Sequence, residues 1–205
     1  MNAIDTSPIG EPRPTTQADI IEAFAKADAL TELERAWLYR QGVEAVDLAD
    51  VRAGEVFWHP GSATFEIEPF NADTSASRSL IFLALDSLDQ PSDLVAWSAR
   101  SSKIGAWLGA ACILGEDAIL GPRINVHGAL PIFRSPIGWL RAQRRGLVIV
   151  NPLGAAKRLL WRGPFLGEDE AHAAELRRLL AIAPPKVFAA EAPERVPAPD
   201  ARAAA

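Results

Sequence analysis

Two apolar runs with the same closing signal lie close together in the chain: Leu130-Pro131-Ile132-Phe133-Arg134-Ser135-Pro136 and Leu147-Val148-Ile149-Val150-Asn151-Pro152. Each reads as a short strand. Each ends in a residue suited to cap a helix, Ser135 or Asn151, followed by proline at the first helical position. The pattern predicts a helix from Pro136 to about Arg144, broken at Gly146. A second helix carries Lys157 and Leu160 and stops at Gly163-Pro164. About a dozen residues separate the two strands, near the minimum for a parallel crossover. A last helix opens at Gly167-Glu168-Asp169-Glu170, with acids where the helix dipole favours them, and runs to about Ile182.

Upstream, Ser79 to Leu85 is a continuous apolar run of the kind expected in a strand buried on both faces. Leu94 to Ser98 and Ile104 to Leu108 flank the polar turn Arg100-Ser101-Ser102-Lys103 and read as a hairpin. Glu55 to Trp58 and Thr64 to Glu68 are shorter strands, and Asn71 to Arg78 reads as a loop. Before them, Thr16 caps a helix carrying Ile20, Ile21 and Phe24. Thr31-Glu32-Leu33-Glu34 has capping-box spacing for a second helix with Leu33, Ala36 and Trp37, ending at Gly42. A short turn from Val46 to Val51 completes a helical trio. As a DNA-binding helix-turn-helix it is poor, because Glu44, Asp47 and Asp50 would face phosphates.

The class expected is α+β: an N-terminal helical cap, then a mixed sheet with an antiparallel hairpin and a C-terminal strand-helix-strand-helix unit. The expected divisions are a flexible arm over 1–15, a helical subdomain over 16–53, a mixed α/β domain over 54–183 and a disordered Ala/Pro tail over 184–205.

Charge is distributed unevenly along the chain. Its 205 residues carry 26 acids and 21 Lys or Arg, a net charge of −5. From Ala118 to Gly167 no acid occurs, yet Arg123, Arg134, Arg141, Arg144, Arg145, Lys157, Arg158 and Arg162 do. Such a segment can set up an anion-attracting field. Acidic helix starts at Glu116-Asp117 and Glu168-Asp169-Glu170 bracket it and stand ready to neutralise it in space. The single cysteine, Cys112, excludes an intramolecular disulfide and a multi-cysteine zinc site. No apolar run reaches the about 18 residues of a membrane span, and Met1 to Pro8 lacks the features of a signal peptide, so a cytoplasmic protein is expected.

If the two signature strands are parallel neighbours, Arg134, Ser135 and Asn151 share one sheet edge with two helix N-termini. That edge is a candidate anion site. The plainer reading has Ser135 and Asn151 as caps, with Arg134 paired to Glu116 or Asp117. On the helix after Pro136, Ile137, Leu140, Arg141 and Arg144 share one side and Trp139 points away. Either Trp139 is partly exposed beside Arg141, Arg144 and Arg145, forming a basic and aromatic surface, or it is buried and the other side faces outward. His172 follows Glu168 by four residues, but no third metal ligand is near. His59 and His127 lie in loops without local partners. Cys112 sits in an apolar setting that suits inert packing. Asp86 and Asp89 read as an ordinary polar loop. No phosphate-loop or nucleophile-elbow motif occurs, and no metal or cofactor is expected.

The stretch from Asp93-Leu94-Val95-Ala96-Trp97 through Leu114-Gly115-Glu116-Asp117, then Arg134-Ser135-Pro136, Gly138-Trp139-Leu140-Arg141 and Arg145-Gly146, resembles uncharacterised bacterial proteins often borne on prophages or other mobile elements. The resemblance covers about residues 79–183 and implies no activity and no residue roles. The function expected is a non-catalytic binding or accessory protein whose basic segment, 118–167, contacts nucleic acid or an acidic partner. The alternatives are an enzyme or ligand-binding domain for an anionic small molecule at the 134–135/151 edge, and a structural oligomer subunit.

Overall fold

A computed structural model of the chain describes residues 15–67, 76–120, 128–160 and 162–181. The expected tail, the arm apart from Thr15, Glu68, Arg123 and His127 lie outside the described residues. Along the chain come α1 (Gln17–Lys26), β1 (Asp28–Ala29), α2 (Glu32–Arg40), a 3-10 turn (Ala45–Leu48), β2 (Val51–Trp58), β3 (Phe65–Glu66), β4 (Ala76–Leu85), β5 (Pro91–Trp97) and β6 (Ile104–Ala106). Then follow β7 (Ile113–Leu114), a second 3-10 turn (Glu116–Ile119), β8 (Leu130–Phe133), α3 (Pro136–Arg141), β9 (Leu147–Ile149), α4 (Pro152–Leu159), β10 (Phe165–Leu166) and α5 (Glu170–Leu180). The fold is α+β.

The antiparallel and parallel parts fall into two sheets rather than one. The first sheet has the order β1-β2-β4-β5-β6, with β3 also on β2, and every pairing is antiparallel. The second has the order β10-β8-β9-β7. There β8 and β9 are parallel neighbours, as the crossover spacing predicts, with Ile132 opposite Leu147. The 53/54 boundary falls inside β2, which pairs with β1 at Ala53 and with β4 from Ala76 to Phe82. Strand β4 starts at Ala76, so the predicted loop ends sooner.

Both faces of the first sheet are covered, which explains its unbroken apolar runs. Ile81, Leu94 and Ala96 point toward α1 and pack with Ile20 and Phe65. Their neighbours Phe82, Val95 and Trp97 point the other way, into a core shared with Leu38, Trp139, Leu140 and Val148. Trp37 stacks on Trp97 at 6.4 Å between ring centroids. The far side of the second sheet packs against α4 and α5 through Ile132, Leu147, Ala155, Leu159 and Leu176. Both predicted N-terminal caps form, Thr16 with Asp19 and Thr31 with Glu34. On α2, however, Leu38 is the buried leucine and Leu33 is 83% exposed, because the helix turns Leu33 away from the sheet.

Helix α3 is shorter than predicted. It ends at Arg141, and Gln143 and Arg144 take left-handed backbone angles (φ 54° and 60°). The turn brings the Gly146 carbonyl to the Trp139 Nε1–H, which donates to it at 2.9 Å. Gly115, at φ 83°, packs against that carbonyl where a Cβ would collide.

One carboxylate joins the sheets. Asp93, on β5, is 0% exposed. Its Oδ1 accepts from the backbone N–H groups of Leu94 (2.8 Å) and Leu108 (2.9 Å), and its Oδ2 from those of Ala110 (2.8 Å) and Ala111 (3.0 Å). The chain leaving β6 is thereby fixed on its way to β7. A second polar clamp holds α2 to the first sheet: Arg78 of β4 donates to Glu34 at 2.9 Å and to Asp28 at 2.6 Å. The hydrogen bond from Arg78, aided by those from Thr31, lowers the Glu34 carboxyl to about 2.

Asp93→Ala leaves buried N–H donors unpaired and is expected to lower unfolding free energy by about 3 kcal/mol, read from urea denaturation. Because the folded Glu34 pKa lies below its ordinary 4.5, its contribution is full above pH 4.5 and lost as pH falls toward 2. Arg78→Met is expected to flatten the acid dependence of stability in that window, measured by pH-dependent urea melts.

Candidate functional site

The carboxyl ends of β8 and β9 do share an edge, but the protein's own carboxylates occupy its donors. The Arg134 backbone N–H donates to Glu168 Oε2 at 2.9 Å. The Arg134 guanidinium grips Asp169 through two bonds, Nη1 to Oδ2 at 2.6 Å and Nη2 to Oδ1 at 2.9 Å. These bonds and the His172 N–H hold the Asp169 carboxyl well below the usual range, and Asp169 in turn raises Arg134. The partners of Arg134 are thus the acids opening α5 rather than Glu116 or Asp117. Asn151 Oδ1 caps α4 by accepting from the Gly154 N–H at 3.2 Å. Ser135 stands at the cap position of α3 without a side-chain cap bond.

The basic and aromatic surface does not form as such. Trp139 is 6% exposed and meets Phe82 edge to face at 6.2 Å. The opposite side of α3 is no more open, because Ile137 and Leu140 are also buried between the sheets. Arg144 lies over the Trp139 ring at 5.6 Å and donates to the Asp47 carbonyl at 2.9 Å, with Asp50 at 3.5 Å. Arg158 pairs with Glu116 at 2.8 Å. Burial pushes the Glu116 carboxyl up, and Arg158 acts against that. Arg141, Arg145 and Lys157 are exposed cations on two different helical ends.

A cavity of about 330 Å³ does open at the predicted edge. Arg134, His172 and Glu175 are its polar lining, and Ile132, Ile149 and Leu179 are among its apolar walls. His172 and Glu175 come from one face of α5. The His172 side chain is 5% exposed, and its Nδ1 accepts from the Glu168 N–H at 3.2 Å, with Glu168 Oε2 at 3.6 Å.

The larger depression, about 550 Å³, lies beneath α1 and has no forerunner in the sequence reading. Its floor is Gly54, Ile67, Ile81 and Trp107, with Ala23 and Ala27 from the helix. Its rim holds Asp19, Glu22, Asp28, Glu55 and Glu66, against one lining cation, Lys26. The opening follows from the edge of β2. There β1 pairs at Arg52 and Ala53, β3 pairs at Phe57 and Trp58, and among the described residues nothing pairs between them. The available sequence signals were the spacing of Asp19, Glu22, Ala23 and Lys26 on one helix face and the glycine within β2.

The remaining candidates are placed without a catalytic arrangement. His59 Nε2 lies 3.3 Å from Glu66, and Asp86 closes a turn by accepting from the Leu88 and Gln90 N–H groups. Cys112 packs against Gly154 on α4, and its thiol faces the Ala110 carbonyl at 3.8 Å. Among the described residues, no group of three His, Cys, Asp or Glu is arranged to hold a metal, and no helix is long and apolar enough to cross a membrane.

Compared with protein-family models, curated proteins and solved structures, the chain matches none.

Proposed function

We propose that this is a non-catalytic binding protein that takes a basic, partly apolar peptide segment of a partner in the groove beneath α1. The observation that carries the reading is the pairing of an apolar floor with an acidic rim in this depression of about 550 Å³. A lysine or arginine stem lies along Trp107 and Ile81 while its charged head reaches Glu55, and competes with Lys26 for Glu22 and with His59 for Glu66. Gly54 keeps the floor open, since a Cβ there would come within 3.0 Å of Ile81 Cδ1. The charge sign of the partner is opposite to the one expected from the acid-free segment. Arg134, Arg144 and Arg158 of that segment already face Asp169, Asp50 and Glu116, which weakens the case for nucleic acid or an acidic partner there.

Fluorescence anisotropy with a labelled alternating lysine–leucine peptide tests this. Binding is expected to weaken with salt, and Glu22→Lys with Glu55→Lys is expected to lower affinity at least about tenfold. The same charge change outside the groove, Glu44→Lys with Glu170→Lys, is expected to leave affinity within about twofold. Equal losses from the two pairs would mean that net charge, not the groove, attracts the peptide. Tighter binding of a glutamate–leucine peptide would restore the basic-segment reading.

A further inference from the structure

The cavity between the carboxyl ends of β8 and β9 and helix α5 has the donors and acceptors of a second, separate site. His172 is almost wholly enclosed, yet it lines this cavity. With Nδ1 accepting from the Glu168 N–H, the proton of the neutral ring sits on Nε2. That Nε2–H has no hydrogen-bond partner among the described residues, and the His172 side chain that carries it lines the cavity. Burying a polar ring around an unused donor is costly unless something accepts from it. Three residues along the same helix face, Glu175 contributes a carboxylate with no ion pair among the described residues, and Arg134 lines the same cavity.

The charge balance identifies the class of ligand. Arg134 is already met by Asp169 and Glu168, and Glu175 adds a further negative charge near it. A simple anion would face three carboxylates with one guanidinium, so the anionic ligand expected at this edge is disfavoured. A simple cation would leave the His172 donor unused. A molecule with both signs satisfies both ends.

We propose that this cavity binds a small zwitterion of the α-amino-acid type with an apolar side chain. Its carboxylate accepts from His172 Nε2–H and from guanidinium N–H groups of Arg134 not directed at Asp169. Its ammonium faces Glu175. Its side chain lies against Ile132, Ile149 and Leu179. The cavity volume is near the lower end for ligand sites, in keeping with a small molecule.

The test is a titration followed by the ring resonances of His172 in histidine-labelled protein, with L-leucine, N-acetyl-L-leucine and 3-methylbutylamine as probes. L-leucine is expected to shift His172 saturably in the millimolar range, and each truncated probe to bind at least about tenfold more weakly. His172→Asn keeps an acceptor for the Glu168 N–H while removing the Nε2 donor. It is expected to fold, by circular dichroism, and to lose leucine binding by calorimetry. Glu175→Gln, an exposed change, is expected to reduce leucine affinity to that of N-acetyl-L-leucine. No His172 shift with leucine, or equal affinity for either truncated probe, overturns the proposal. The Glu22→Lys with Glu55→Lys protein is expected to bind leucine unchanged, so failure of the groove reading and failure of this one are separable.

Discussion

The buried carboxylate of Asp93 is the constraint on which the arrangement of the two sheets depends. A fully enclosed carboxylate is tolerable only when its lone pairs are met, and four backbone N–H groups meet them. Those N–H groups belong in part to the irregular stretch between β6 and β7, which otherwise has no ladder to join. Fixing that stretch sets where the second sheet begins and lets α3 enter the space between the sheets. Trp139, Leu140 and Phe82 then share one core. Asp93 had no obvious signature in the sequence, because an acid at the start of an apolar strand reads as a solvated strand end.

Charge in this protein is settled by tertiary contacts rather than by local sequence. The acids opening α5 fold back onto Arg134, and the acid before the second 3-10 turn meets Arg158. Arg144 points inward over an indole ring. Three cations of the acid-free segment are thereby met inside the fold while Arg141, Arg145 and Lys157 stay exposed, and carboxylates line the depression under α1. Around that depression too, Glu22 meets Lys26, Asp28 meets Arg78 and Glu66 meets His59.

Elements whose signals are local are legible in the amino-acid sequence. The cap at Thr16, the capping box at Thr31, the cap-and-proline pair at Asn151, the parallel neighbours β8 and β9, and the doubly buried run at Ser79 to Leu85 all rest on contacts within a few residues or on periodicity, whereas Ser135 takes the cap position of α3 without the bond its hydroxyl suggests. What was not legible depended on which surfaces meet. Nothing near Leu33 indicates that α2 turns it outward, and nothing near Trp139 chooses between its two faces. In fact α3 is enclosed on both sides, which a helix of six residues between two sheets allows and a surface helix does not. The edge carrying Arg134 and Asn151 was located by spacing alone. That His172 would close one side of it required the packing of α5 on the second sheet.

The strand lengths carry a further consequence. The first sheet ends in β1, two residues, and β6, three; the second ends in β7 and β10, two each. The long strands β2, β4 and β5 run through the body of the first sheet, and β1 and β3 shield parts of the outer side of β2. Open backbone on long edges is what templates strand addition and aggregation. Among the described residues this protein offers only fragments of it, so an extended partner would find too little main chain to pair with as an added strand. The short edges described leave little open backbone in these two sheets to which a strand from another copy could be added.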